Sequence, residues 1–99
     1  MKLIQKHLFR GTQEFELLDN EIRVRIKTPF KKKELTVPFE ILNPEPVVND
    51  SRLEFHSRVK CGPLLSLYID KPNPTEFNAF VEAVKEKALR EFNAFAGIR

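Results

Sequence analysis

The sequence predicts an α+β domain, mainly antiparallel β, with about seven strands forming a partly open barrel and one long C-terminal amphipathic helix. Three observations predict it. Apolar residues recur at every second position as far as Pro72, the period of half-buried strands. Beyond Pro74 they recur every third or fourth position, the period of a helix face. The segments between the alternating runs carry turn residues: Asp19-Asn20, Thr28-Pro29, Asn43-Pro44-Glu45-Pro46, Asn49-Asp50-Ser51 and Gly62-Pro63.

The strand candidates follow in order. Lys2 to Phe9 comes first, then Phe15 to Leu17, Ile22 to Ile26, Leu35 to Val37, a short Val47-Val48 piece, Leu53 to Phe55 and Leu65 to Ile69. A two-residue loop at Asp19-Asn20 sets the first of these hairpins. It places Leu17 opposite Ile22 and Phe15 opposite Val24 on one face, with Glu16 opposite Arg23 and Glu14 opposite Arg25 on the other. Core and charge pairing therefore agree in a single register. A longer loop around Pro29 to Lys32 continues the meander, with Glu34 expected opposite Lys27, Leu35 beside Ile26 and Val37 beside Val24.

The helix is announced by its start. Asn73 is a good N-cap, Pro74 belongs at the first helical position, and Glu76 completes a capping-box arrangement three residues after the cap. Phe77, Phe80, Val81, Val84, Ala88, Phe92 and Phe95 fall on one stripe, opposite Glu82, Glu86, Arg90 and Asn93, and Gly97 can end the helix. From Pro74 to Phe95 the helix spans about 33 Å at 1.5 Å per residue, so its last turns are expected to overhang the sheet. The 99 residues make one domain, with strands in 1–71 and the helix in 73–96.

This order of elements, a meandering start, about seven short strands and a terminal helix, resembles the pleckstrin-homology-like superfold, and especially its small bacterial members of unassigned function. The resemblance covers nearly the whole chain, and the Leu35 to Leu42 stretch LTVPFEIL looks like the strand-to-turn segment of such domains. It implies two nearly orthogonal sheets with Phe77, Phe80, Val81 and Val84 plugging one end. Eukaryotic members carry a tryptophan in that helix, and this chain has none. Their phosphoinositide motif sets a lysine before a variable loop and a basic-x-basic pair after it. Arg23-x-Arg25 supplies the pair, but the preceding loop is the acidic Asp19-Asn20, so the motif is not carried over. An open sheet covered on one face by the helix needs the same periodicities.

The net charge of +3 falls in residues 1–60. Arg23, Arg25, Lys27, Lys31, Lys32 and Lys33 occur in one acid-free window with Phe30 among them, which suits an anionic partner. The expected register pairs Arg23, Arg25 and Lys27 with Glu16, Glu14 and Glu34, leaving Lys31, Lys32 and Lys33 on a loop. Such a run beside Phe30 fits an anionic membrane surface; it also fits a solvated hairpin tip that keeps an edge from aggregating. Exposed basic-aromatic alternation and a recognition helix are both missing, which argues against nucleic acid. On the helix, Leu89, Phe92 and Phe95 continue the apolar character past the stretch that covers the sheet, as a docking face for a protein partner or a second copy would.

Residues suited to catalysis are few. His7, His56 and Cys61 are the only candidates for nucleophilic or metal work, and the two histidines lack ligand spacing, so neither metal nor cofactor is implied. A glycine-rich phosphate loop is absent among only three glycines, and no small-molecule substrate is identifiable. Met1 to Arg10 lacks the apolar run of a secretory leader, which makes the cytoplasm the expected location. The expectation is a small non-enzymatic domain acting by protein association through the helix end or a sheet edge. A weak anionic-surface or phosphoinositide-binding module built on the lysine loop is one alternative, and a small enzyme using Cys61 with a histidine is another.

Overall fold

The computed structural model describes residues 1–7 and 11–95, apart from the side chains of Phe92, Ala94 and Phe95. Seven antiparallel strands form two sheets, followed by one helix, α1, at Pro74–Phe95. Strands β1 (Lys2–His7), β2 (Gly11–Leu17), β3 (Glu21–Lys27) and β4 (Lys32–Pro38) make a four-stranded meander. A 3-10 turn at Phe39–Ile41 leads to the second sheet of β5 (Val47–Asn49), β6 (Arg52–His56) and β7 (Pro63–Tyr68). The α+β class, the strand count and the helix agree with the sequence. The two sheets are not closed into a barrel. No helix is long and apolar enough to cross a membrane among the described residues.

Alternation decides which face each strand buries. Leu3 and Gln5 of β1, Phe15 of β2, Ile22 and Val24 of β3 and Val37 of β4 point into the core, as do Phe55 of β6 and Leu65 and Leu67 of β7. Phe77, Phe80, Val81, Val84 and Ala88 of α1 close over them, with the Phe80 ring tilted against Phe15 at 6.2 Å between centroids. Burying one such phenylalanine contributes about 1.5–3 kcal/mol. Phe39, the first residue of the 3-10 turn, and Leu42, just after it, are also buried, and the Lys87 ammonium lies 5.9 Å from the Phe39 ring.

The helix start takes the form its residues dictate. Asn73 Oδ1 accepts a hydrogen bond from the Glu76 backbone N–H at 2.9 Å, and the Asn73 amide donates to the Glu76 carboxylate at 2.6 Å. The expected Gly97 cap lies outside the described residues.

The first hairpin register is the one the pattern predicts: Leu17 opposite Ile22, Glu16 opposite Arg23, Phe15 opposite Val24 and Glu14 opposite Arg25. The second is shifted by two residues from expectation. Glu34 faces Arg25 rather than Lys27, Leu35 faces Val24 and Val37 faces Ile22. The loop is shorter than expected, with only Pro29 and Phe30 between Thr28 and Lys31. Thr28 N–H donates to the Lys31 carbonyl at 2.8 Å, and Lys31 N–H donates to Thr28 Oγ1 at 2.9 Å. A shift of one would have turned every side chain to the other face; a shift of two preserves every face and changes only the partners. Hydrophobic alternation is therefore blind to it.

Two corners hold the sheets together. At one, Leu42 bridges Ser57, Asn43 N–H donates to the His56 carbonyl at 2.8 Å and Arg58 N–H donates to the Ile41 carbonyl at 2.9 Å. At the other, the buried Gln5 side chain reaches from β1 to the backbone at the end of β7.

Candidate functional site

The tight β3–β4 turn places Phe30 at its apex with 95% of its surface exposed. Pro29 suits the position before it because its ring fixes the φ that such turns use. The Thr28 hydroxyl also donates to the Lys31 carbonyl at 3.1 Å, so the turn is braced from both strands. Phe30 is the only large aromatic side chain so exposed among the described residues.

The shifted register redistributes the charges beneath that tip. Glu34 sits between both arginines of β3, with Arg25 at 3.3 Å and Arg23 at 3.6 Å. Arg25 also donates to Glu14 at 3.3 Å, and Arg23 lies 3.8 Å from Glu16. Hydrogen bonds to Glu14 and then Glu34 push the Arg25 pKa up from its ordinary value. Both arginines of the acid-free window are thus absorbed by the sheet.

Lys27 is not absorbed. The residue opposite it is Lys32, so two ammonium groups share one cross-strand position at the base of the tip. Like charges placed directly opposite cost stability. Lys31 belongs to the turn, whereas Lys32 and Lys33 belong to β4 and alternate, Lys32 on the outer face with Lys27 and Lys33 beside Ile26. All four lysines lack a salt-bridge partner among the described residues. The result is an exposed phenyl ring at the apex of a hairpin whose adjoining positions carry four lysines, and the shift by two residues is what frees the fourth.

The other candidates are dispersed. Leu89 is 48% exposed on α1 near Pro44, while the side chains of Phe92 and Phe95 lie outside the described residues. On the edge strand β5, Val47 and Val48 are 51% and 65% exposed, two apolar positions whose sequence marks them only as strand formers. His56 Nε2 lies 3.3 Å from Glu54 Oε1, the His7 ring stacks on Tyr68 at 5.3 Å, and Cys61 is exposed on the turn between β6 and β7. His7 and His56 lie on different sheets, and each is held by its own partner.

Gln5 is the feature that sequence reasoning missed. Its place on the apolar face of β1, between Leu3 and His7, was the available signal: a carboxamide among core positions must find backbone partners. No family model matches the chain, and no curated protein or solved structure matches it.

Proposed function

We propose that this domain acts by binding, and that its binding element is the β3–β4 hairpin, which engages an anionic membrane surface. The observation that carries the reading is the juxtaposition of a 95% exposed Phe30 with four lysines that have no acidic partner among the described residues. Each lysine near such a surface contributes about 1 kcal/mol, and inserting the phenyl ring contributes about 2 kcal/mol. The total of about 6 kcal/mol corresponds to an affinity on the order of tens of micromolar, a reversible attachment. A single apex ring favours insertion at an interface over nucleic-acid binding, which uses several aromatic faces as a stacking platform.

The kinship we propose with the pleckstrin-homology-like superfold is supported by the order of elements: a four-stranded meander, a three-stranded sheet and a terminal helix.

Co-sedimentation with vesicles tests the function. Wild type is expected to bind phosphatidylcholine vesicles containing phosphatidylglycerol and to release at high salt, because surface charge is screened. Phe30→Ser and the triple change Lys31→Glu, Lys32→Glu and Lys33→Glu should each weaken binding at least fivefold. Binding that is indifferent to salt and to both variants would remove the reading.

A second reading, protein association through the β5 edge and the nearby helix, is favoured by the exposure of Val47, Val48 and Leu89. Sedimentation velocity tests it: a concentration-dependent dimer that Val48→Lys abolishes supports association, and a monomer at all concentrations excludes self-association.

A further inference from the structure

Phe30 and the groove beside Leu89 lie at opposite ends of β4. The strand runs from Lys32 at the hairpin to Pro38, a distance of about 20 Å at about 3.4 Å per residue. The 3-10 turn at Phe39–Ile41 follows, and α1 packs against it. Beyond that turn, Pro44 and Glu45 approach the helix at Glu82, Lys85, Glu86 and Leu89 and line with them a groove of about 390 Å³. Clefts that take small organic groups measure about 300–1,000 Å³.

The two ends are complementary in apolar surface and in charge. Pro44 and the 48% exposed Leu89 give the groove its apolar side, and three acids against one base surround it. Lys85 lies 3.8 Å from Glu82 and Arg90 lies 3.2 Å from Glu86, while the Glu45 carboxylate has no ion-pair partner among the described residues. The same end of the molecule carries Glu21, Glu40 and Glu91 around a second depression of about 300 Å³, with no base lining it. The hairpin presents the opposite character: an exposed phenyl ring with Lys27, Lys31, Lys32 and Lys33 at the adjoining positions. The paired strands hold the hairpin away from its own groove, so the two surfaces can meet only between molecules.

From this arrangement we infer that the chain self-associates head to tail, the β3–β4 hairpin of one copy docking in the Pro44–Leu89 groove of the next. The Phe30 ring packs against Leu89, and the lysines face Glu45, Glu82 and Glu86. Such a contact joins two different surfaces, so each docked copy keeps a free hairpin or a free groove, and assembly continues past a dimer into a chain or a ring. Much of the attraction is between exposed charges, which makes the assembly weak and favoured by low salt. The inference goes beyond the membrane reading and does not require it. Both use Phe30, so a docked hairpin is withheld from a membrane surface.

Sedimentation velocity of the full chain over a range of concentrations, at low and high salt, tests it. The weight-average mass of wild type is expected to rise past that of a dimer at low salt and to fall toward that of a monomer at high salt. Phe30→Ser and Leu89→Lys, both at exposed positions, should each weaken association at least fivefold, and thermal unfolding verifies that each variant folds. Mixed in equal amounts, the two variants should form a heterodimer and nothing larger, because Phe30→Ser keeps the groove and Leu89→Lys keeps the hairpin. A wild type that is monomeric at every concentration overturns the docking and leaves the membrane reading standing. Association that is indifferent to Phe30→Ser but abolished by Val48→Lys places the contact on the β5 edge and overturns the docking, as does a failure of the mixed variants to pair. A wild type that assembles in this way yet does not bind anionic vesicles supports the docking and overturns the membrane reading.

Discussion

The Gln5 carboxamide engages the backbone of Tyr68 as a neighbouring strand would. Tyr68 N–H donates to Gln5 Oε1 at 2.9 Å, Gln5 Nε2 donates to the Tyr68 carbonyl at 2.8 Å, and the same nitrogen donates to the Lys71 carbonyl at 3.0 Å. One side chain thereby joins the edge of the first sheet to the edge of the second, where strand pairing stops. Gln5 itself is fully buried and all three bonds are partly buried, so their loss leaves polar groups that solvent reaches only in part.

Gln5→Leu is therefore expected to destabilise the domain by about 3 kcal/mol, since each buried donor or acceptor left without a partner costs about 1–3 kcal/mol. Urea unfolding measures it. A loss under 1 kcal/mol would show that water or a shifted backbone satisfies Tyr68 and Lys71 and that the corner is not held by this residue.

Gly11 opens β2 with a φ of +84°, and a Cβ there would strike the carbonyl oxygen of Lys27 on β3. Gly11→Ala combines an unfavourable backbone region with a backbone collision, together costing about 2 kcal/mol or more. The midpoint of chemical denaturation should fall, and amide shifts should change at Lys27 and Thr28 ahead of the distant helix. A variant as stable as wild type would contradict the close approach of the two strands.

The cap of α1 depends on Asn73. Replacing it by alanine removes the bond to the Glu76 N–H and should cost about 1 kcal/mol, while Asn73→Asp, which retains an accepting oxygen, should cost less than half as much. Paired denaturation curves of the two variants decide whether capping or mere chain stiffness at Pro72 and Pro74 sets the helix start.

Lys32→Glu separates stability from binding. An acid opposite Lys27 converts a repulsive pair into an attractive one and should raise stability by about 0.2–1 kcal/mol, yet it should weaken attachment to anionic vesicles severalfold. A variant that gains stability and keeps its vesicle affinity would make the Lys27–Lys32 pair irrelevant to binding.

Much of the fold was legible in the linear chain. The strands, the Asp19-Asn20 hairpin and the Asn73 helix start are written in local chemistry: period-two burial, turn residues with their own conformational preferences, and a cap whose partner is three residues away. The β3–β4 pairing was not legible to the same depth, because a slip of two residues leaves every apolar side chain on its proper face. The candidate site inherited that blindness. Lys31, Lys32 and Lys33 stand out as a run, but whether Lys27 is neutralised by Glu34 or left facing Lys32 depends on the length of one turn.

The sequence by itself determined the class of the fold, the burial of Phe77, Phe80, Val81 and Val84, and the presence of an acid-free basic window, since each follows from spacing along a single segment. Only the tertiary structure decided which cations remain unpaired, that Pro44 and Leu89 line one groove at the far end of β4 from Phe30, and that Gln5 ties the two sheets at Tyr68. Those outcomes depend on contacts between residues far apart in the chain, where the balance of pairing energies and loop closure selects one register among several that bury the same side chains.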